Sequence, residues 1–186
     1  VLDELVAKAD FNQLLVVAGR GKASYNNGIL QLPENASLAL LRHEFMQVLG
    51  FVDEYQLTAN TAADVCRSGV VYPNLLLPDT IDAYLSHWQL QPADIQLTAV
   101  DSCNLAGIQA YRVVAQANVM RSYELALPTL YFRLAKQVLA KPEQIMPVQY
   151  YFAYLARQRQ DWPQWQQFMQ QASAMGYEDA QQALAP

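Results

Sequence analysis

Apolar positions along this chain recur with two different periods. LLVVAG, Leu14 to Gly19, is a short and nearly continuous apolar run stopped by glycine, which predicts a central strand. GILQL, Gly28 to Leu32, alternates apolar and polar residues and predicts a second strand at a sheet edge, ended by Pro33. The stretch between them, GRGKASYNNG, is rich in glycine and asparagine and reads as loop. Its glycines fit neither the dinucleotide nor the P-loop spacing, and no helix follows directly. Residues 1–11 predict a short first helix with Leu2, Leu5 and Val6 on one side.

Helical spacing dominates elsewhere. Asn35 or Ser37 caps a helix running to about Leu49 and closed by Gly50, with Leu38, Leu41, Phe45, Val48 and Leu49 as its buried side. Val52 to Leu77 reads as loop, and residues 79–86 add a helical turn. Gln91 to Gly107 mixes short extended runs with turns, and Ile108 to Val119 is extended or irregular. Four helices follow: Leu127 to Leu139, an aromatic-rich Met146 to Arg159, Trp165 to Met175, and Asp179 to Leu184. With strands early and helices late, the expected fold is α+β: a domain over 1–140 and a helical segment over 141–186.

Composition narrows the function classes. The chain has 186 residues, 53% of them apolar, which supplies a sizeable core and excludes disorder. A net charge of −5 with no basic run excludes a phosphate-backbone footprint, so nucleic acid is not an expected partner. No stretch reaches the roughly 18 apolar residues of a membrane span, and a soluble protein is expected. Cys66 and Cys103 are the two cysteines; they form either one disulfide or two free thiols, and a bridge implies an oxidising compartment. A cysteine nucleophile needs a histidine partner, and only His43 and His87 exist. His87, beside Trp88, reads as an interfacial histidine.

The richest stretch chemically is LRHEFMQVLGFVDEY, Leu41 to Tyr55. Residues four apart share a helix face, so His43 and Gln47 point the same way, while Gly50 can end the helix and return Asp53 toward them. This pattern resembles the zinc signature HExxHxxGxxH of the metzincin metalloprotease clan in its Asp-ending versions. The HEF and DEY frame also looks like that of a bacterial group whose peptidases attack immunoglobulin A. The resemblance implies a metzincin-like fold with zinc as cofactor, His43, Gln47 and Asp53 as metal ligands, and Glu44 as general base. It implies Gly50 as the turn glycine, Met120 in ANVMRSY as the methionine turn beneath the metal, and Tyr123 as a fifth ligand or oxyanion stabiliser. Glu54 and Tyr55 would support the ligands from behind. GILQL would hold a peptide substrate by strand addition.

Gln47 departs from the signature, because it stands where the second histidine belongs and an amide is a poor zinc ligand. The expected function is therefore that of a peptidase-ancestry protein with an incomplete zinc site, weakly active or inactive. Two alternatives stand beside it: an active zinc endopeptidase using Glu44, and a non-enzymatic peptide- or protein-binding module. A bridge between Cys66 and Cys103 would place the protein in a periplasm or outside the cell. FMQQASAMGYEDAQQAL, Phe168 to Leu184, is similar to part of a Sel1-like or tetratricopeptide-type repeat, a hairpin through which a protein partner could bind.

Overall fold

A computed structural model describes residues 2–8, 10–67 and 69–185. In chain order the elements are α1 (Leu2–Val6), β1 (Leu14–Val17), β2 (Ser24–Asn26), β3 (Ile29–Leu32), α2 (Leu38–Val48), α3 (Ala59–Val65), β4 (Leu75–Leu76) and α4 (Ile81–Trp88). They continue with β5 (Thr98–Val100), β6 (Ala110–Arg112), α5 (Thr129–Leu139), α6 (Val148–Gln158), α7 (Trp162–Ala174) and α8 (Glu178–Ala183). This is a mixed α+β architecture with two small sheets. Contacts divide it into two compact units, residues 1–36 with 141–186, and residues 37–140.

The first unit joins both ends of the chain. Its sheet has the order β1-β3-β2, with β1 parallel and β2 antiparallel to β3. Asn27 and Gly28 are the two residues between β2 and β3, and both have positive φ, 52° and 80°, as the commonest two-residue hairpin requires. Gly28 is required for a second reason: a Cβ there would lie 2.5 Å from the backbone nitrogen of Val148 at the start of α6. Leu14 shares a core with Val148, Phe152, Phe168, Ala172 and Ala180, so the sheet and the last three helices bury one another's apolar faces. Asp161 caps α7 by accepting from the Gln164 amide at 3.2 Å.

The second unit holds a fully antiparallel sheet, order β4-β6-β5. Its core gathers Val52, Leu57, Ala62, Leu75, Leu77, Val100 and Ala110 around a Cys66–Cys103 disulfide that spans 37 positions of sequence, so the paired alternative is the one realised. Among the described residues no helix is long and apolar enough to cross a membrane.

Several local expectations are corrected. GILQL supplies the central strand and LLVV an edge, because the Asn27-Gly28 hairpin lays β2 on one side of β3 while β1 pairs on the other. With both sides hydrogen-bonded, β3 has no free edge for strand addition. Strands are not confined to the start of the chain; the pieces between Leu75 and Arg112, two or three residues each, are too short to show a period. The segment after Val52 contains α3, nucleated by Thr58 accepting from the Thr61 amide. In α1 only Val6 is buried; Val1 and Ala9 of the predicted first helix lie outside the described residues.

Candidate functional site

Helix α2 sets the geometry of the predicted site. Ser37 begins it by accepting from the Leu40 amide at 3.1 Å. At its end Gly50, φ 81°, turns the chain in the left-handed region. The Gly50 amide donates to the Gln47 carbonyl at 2.9 Å and the Phe51 amide to the Met46 carbonyl at 3.1 Å, which is the Schellman pairing. That turn carries Asp53 back beside the helix, where the Ser102 hydroxyl fixes its carbonyl at 2.7 Å. The inward face is only partly the one that leucine spacing predicts, since Val48 and Leu49 are buried as expected and Leu38 and Phe45 are not. His43, Glu44, Met46 and Val48 are buried, whereas Leu38 is 83% exposed and Phe45 42%. Of the two buried polar side chains, His43 finds partners there and Glu44 Oε2 has none.

Those partners form a closed polar knot. His43 Nδ1 donates to the Val119 carbonyl at 2.8 Å, which leaves Nε2 facing Asp53 Oδ1 at 3.2 Å. The Gln47 amide nitrogen sits between them, 2.9 Å from Asp53 Oδ1 and 3.3 Å from His43 Nε2. The Tyr55 hydroxyl donates to Asp53 Oδ2 at 2.7 Å. Burial works against a charged His43, but its bonds to Asp53 and Val119 prevail and raise its pKa. Burial raises the Glu44 carboxyl as well, and Glu44 Oε2 is buried without a hydrogen-bond partner.

A second knot lies one residue further on. Glu54 is fully buried and accepts from Tyr131 Oη at 2.5 Å, Asn118 Nδ2 at 2.8 Å and Asn74 Nδ2 at 3.1 Å. Asn74 also pairs with both backbone groups of Val52, at 2.8 and 2.7 Å, as a neighbouring strand would. The Met120 carbonyl accepts from the Glu54 amide at 2.9 Å, and Met120 itself is buried in a turn begun by Asn118. Burial raises the Glu54 pKa in spite of the three donors.

His43, Gln47 and Asp53 are thus brought together with the Met120 turn alongside, through Val119. Tyr123 is not part of the knot: it is half-exposed, its carbonyl accepts from Arg42, and the tyrosine that reaches Asp53 is Tyr55. His87 lies edge-on to Trp88, ring centres 4.6 Å apart.

The zinc expectation is overturned. Among the described residues no group of three or more His, Cys, Asp or Glu side chains is placed to hold a metal ion. The reason is visible in the knot. A ligand set must turn lone pairs toward a common point, and Gln47 turns an N–H donor toward the Asp53 lone pair instead, on the same oxygen that His43 Nε2 faces. No family model, curated protein or solved structure matches the chain. The metzincin resemblance therefore ends at its motif, and the metallopeptidase and hydrolase expectations that came with it are withdrawn.

The open chemistry lies in the first unit. Helix α6 buries Val148, Phe152, Ala153 and Ala156, packs Tyr150 and Tyr151 partly against the same core, and turns Tyr154 outward. A cleft of about 590 Å³ has Met146, Pro147, Tyr150 and Tyr177 among its walls. It shares Met146 and Tyr150 with a second cleft of about 360 Å³ lined by Asn27, Tyr151 and Tyr154. Met146 is 42% exposed and Tyr154 57%. The sequence carried a signal for this surface. VQYYFAYLARQ has more aromatics than one buried stripe of a helix can absorb, and Tyr150 and Tyr154 are one turn apart.

Proposed function

We propose that this protein is a non-enzymatic module that binds a peptide or protein segment through the tyrosine-and-methionine face of its first unit. The observation that carries this reading is the pair of neighbouring clefts that share Met146 and Tyr150, the second also lined by Tyr151 and Tyr154. Tyrosine and methionine are enriched at protein interfaces because each presents a large contact area, and tyrosine adds a polar tip at little cost in side-chain entropy. Satellite apolar residues on a monomer need no explanation, but a contiguous aromatic strip with a concave floor does. The His43–Gln47–Asp53 knot supports the non-enzymatic half of the reading, since its donors and acceptors are spent on one another. The Cys66–Cys103 bridge supports an oxidising setting, a periplasm or the cell exterior.

The test is selection of a random linear peptide library on the intact chain, with each enriched peptide remeasured by calorimetry. Enriched peptides should bind a Met146→Ala/Tyr154→Ala variant about tenfold more weakly or worse, as for a truncated pair of contact anchors. Peptides that bind this variant as well as the parent, or a library yielding no binder, would overturn the reading.

A further inference from the structure

Strand β1 leaves one of its edges open. The Leu14 and Ala18 amides donate to the Gly28 and Leu32 carbonyls at 2.8 and 3.1 Å, so the even-numbered residues face β3. The N–H and C=O groups of Leu15 and Val17 therefore point the other way, where the sheet ends. Their side chains stand on the sheet face opposite Leu14 and Val16, and are 52% and 56% exposed. Natural sheet edges are blunted by charge, by proline or by a bulge. The other edge of this sheet, β2, exposes Ser24 and Asn26, whereas LLVV exposes only aliphatic side chains.

We infer that β1 pairs antiparallel with β1 of a second copy of this chain, joining the two sheets edge to edge. The register follows from which backbone groups are free. A two-fold axis at Val16 sets Leu15 of each copy opposite Val17 of the other, and every such pair exchanges both its N–H and its C=O. The same register lays Leu15 beside Val17 on the exposed face, an apolar cross-strand contact that favours pairing. Charge selects the direction. Asp10 precedes the strand and Arg20 and Lys22 follow it; all three are exposed, and none is in an ion pair among the described residues. Antiparallel pairing brings Asp10 of each copy toward Arg20 and Lys22 of the other, whereas parallel pairing sets like charges together. So short an interface makes a reversible dimer. β1 lines neither tyrosine cleft, so the inference is independent of the binding reading.

Sedimentation equilibrium of the intact chain at low salt, up to about 1 mM, should show the mass rising reversibly from one chain toward two. Val17→Lys should weaken association about tenfold or more, because it sets a charge on the pairing edge. Phe132→Lys removes a comparably exposed apolar residue on α5 and adds the same charge, and should hold within about twofold. Charge reversal tests the direction. Asp10→Lys and Arg20→Glu/Lys22→Glu should each dimerise about fivefold more weakly than the parent. A mixture of the two should recover association, because both ends of the mixed dimer again join opposite charges. A chain that stays monomeric, a dimer indifferent to Val17→Lys, equal loss in Phe132→Lys, or a mixture no better than its components would each overturn the inference. Circular dichroism matching the parent identifies the losses as losses of pairing rather than of fold.

Discussion

The polar knot on α2 and the tyrosine face on α6 are built from similar raw material and have opposite fates. Both are helical faces carrying hydrogen-bonding side chains one turn apart, His43 with Gln47 in one case and Tyr150 with Tyr154 in the other. In the knot each polar group except Glu44 Oε2 turns inward onto another, and the cluster is buried. On the tyrosine face Tyr154 is exposed while Tyr150 and Tyr151, partly buried on the core, line a shallow cleft with it. A residue pattern that looks like chemistry becomes structure when its donors and acceptors saturate one another. An aromatic pattern that looks like core becomes surface when the core is already full.

The contrast predicts that substitutions in the second unit appear in stability and those on the tyrosine face appear in binding. The largest effect is expected from Cys66→Ala/Cys103→Ala, which releases a constraint across 37 positions and should cost about 4 kcal/mol in denaturant unfolding. Next comes Glu54→Gln. The new amide would face the donors of Tyr131, Asn74 and Asn118, and a cost of about 2–4 kcal/mol should follow. A cost below 0.5 kcal/mol would mean that the buried carboxylate does not organise this unit.

A pH series sharpens the same point. Glu44 and Glu54 are raised above 4.5, and His43 above 6.5, so the folded chain holds these three protons more tightly than the unfolded one. Their contribution to stability is complete below those ordinary values and is lost as pH rises through the folded ones. Urea midpoints should therefore fall from pH 4.5 upward, with a further fall beginning near 6.5, and Asp53→Asn should remove the later part. A rise over that second interval would contradict the His43–Asp53 pairing. The smallest stability effects belong to the other face: Tyr154→Ala should change the unfolding free energy by less than about 0.5 kcal/mol while weakening peptide binding. Smallest of all, EDTA should leave the thermal midpoint where it is, because the knot is held by its own hydrogen bonds.

Sequence spacing reached further into geometry than into chemistry. The long helices could be read to within a few residues because their apolar period persists over three turns, and Ser37 and Gly50 marked the ends of α2. Position arithmetic brought His43 and Gln47 to one face, and the expected turn at Gly50 brought Asp53 beside them. It could not show that an amide donates where a metal ligand must accept, and the family likeness failed on that single residue. The second sheet was beyond reach, since β4 has two residues and β5 and β6 have three. In the first sheet the Asn27-Gly28 pair marks the β2–β3 hairpin, but not the parallel pairing of β1 that puts β3 in the middle, so GILQL reads as an edge in the sequence.

The division of the chain has a consequence for its biogenesis. Residues 37–140 form one continuous stretch, so everything their core needs has been translated before the last helices leave the ribosome. The opening strands have no such independence. Leu14 and its neighbours must wait, with their apolar side uncovered, until Phe152 and Phe168 have been made much later in the chain. Such distant pairings are slow to close. In a nascent molecule strands β1 to β3 are thus made before residues 37–140 yet folded after them, and a chaperone that shields those strands during that interval would guard the step most exposed to aggregation.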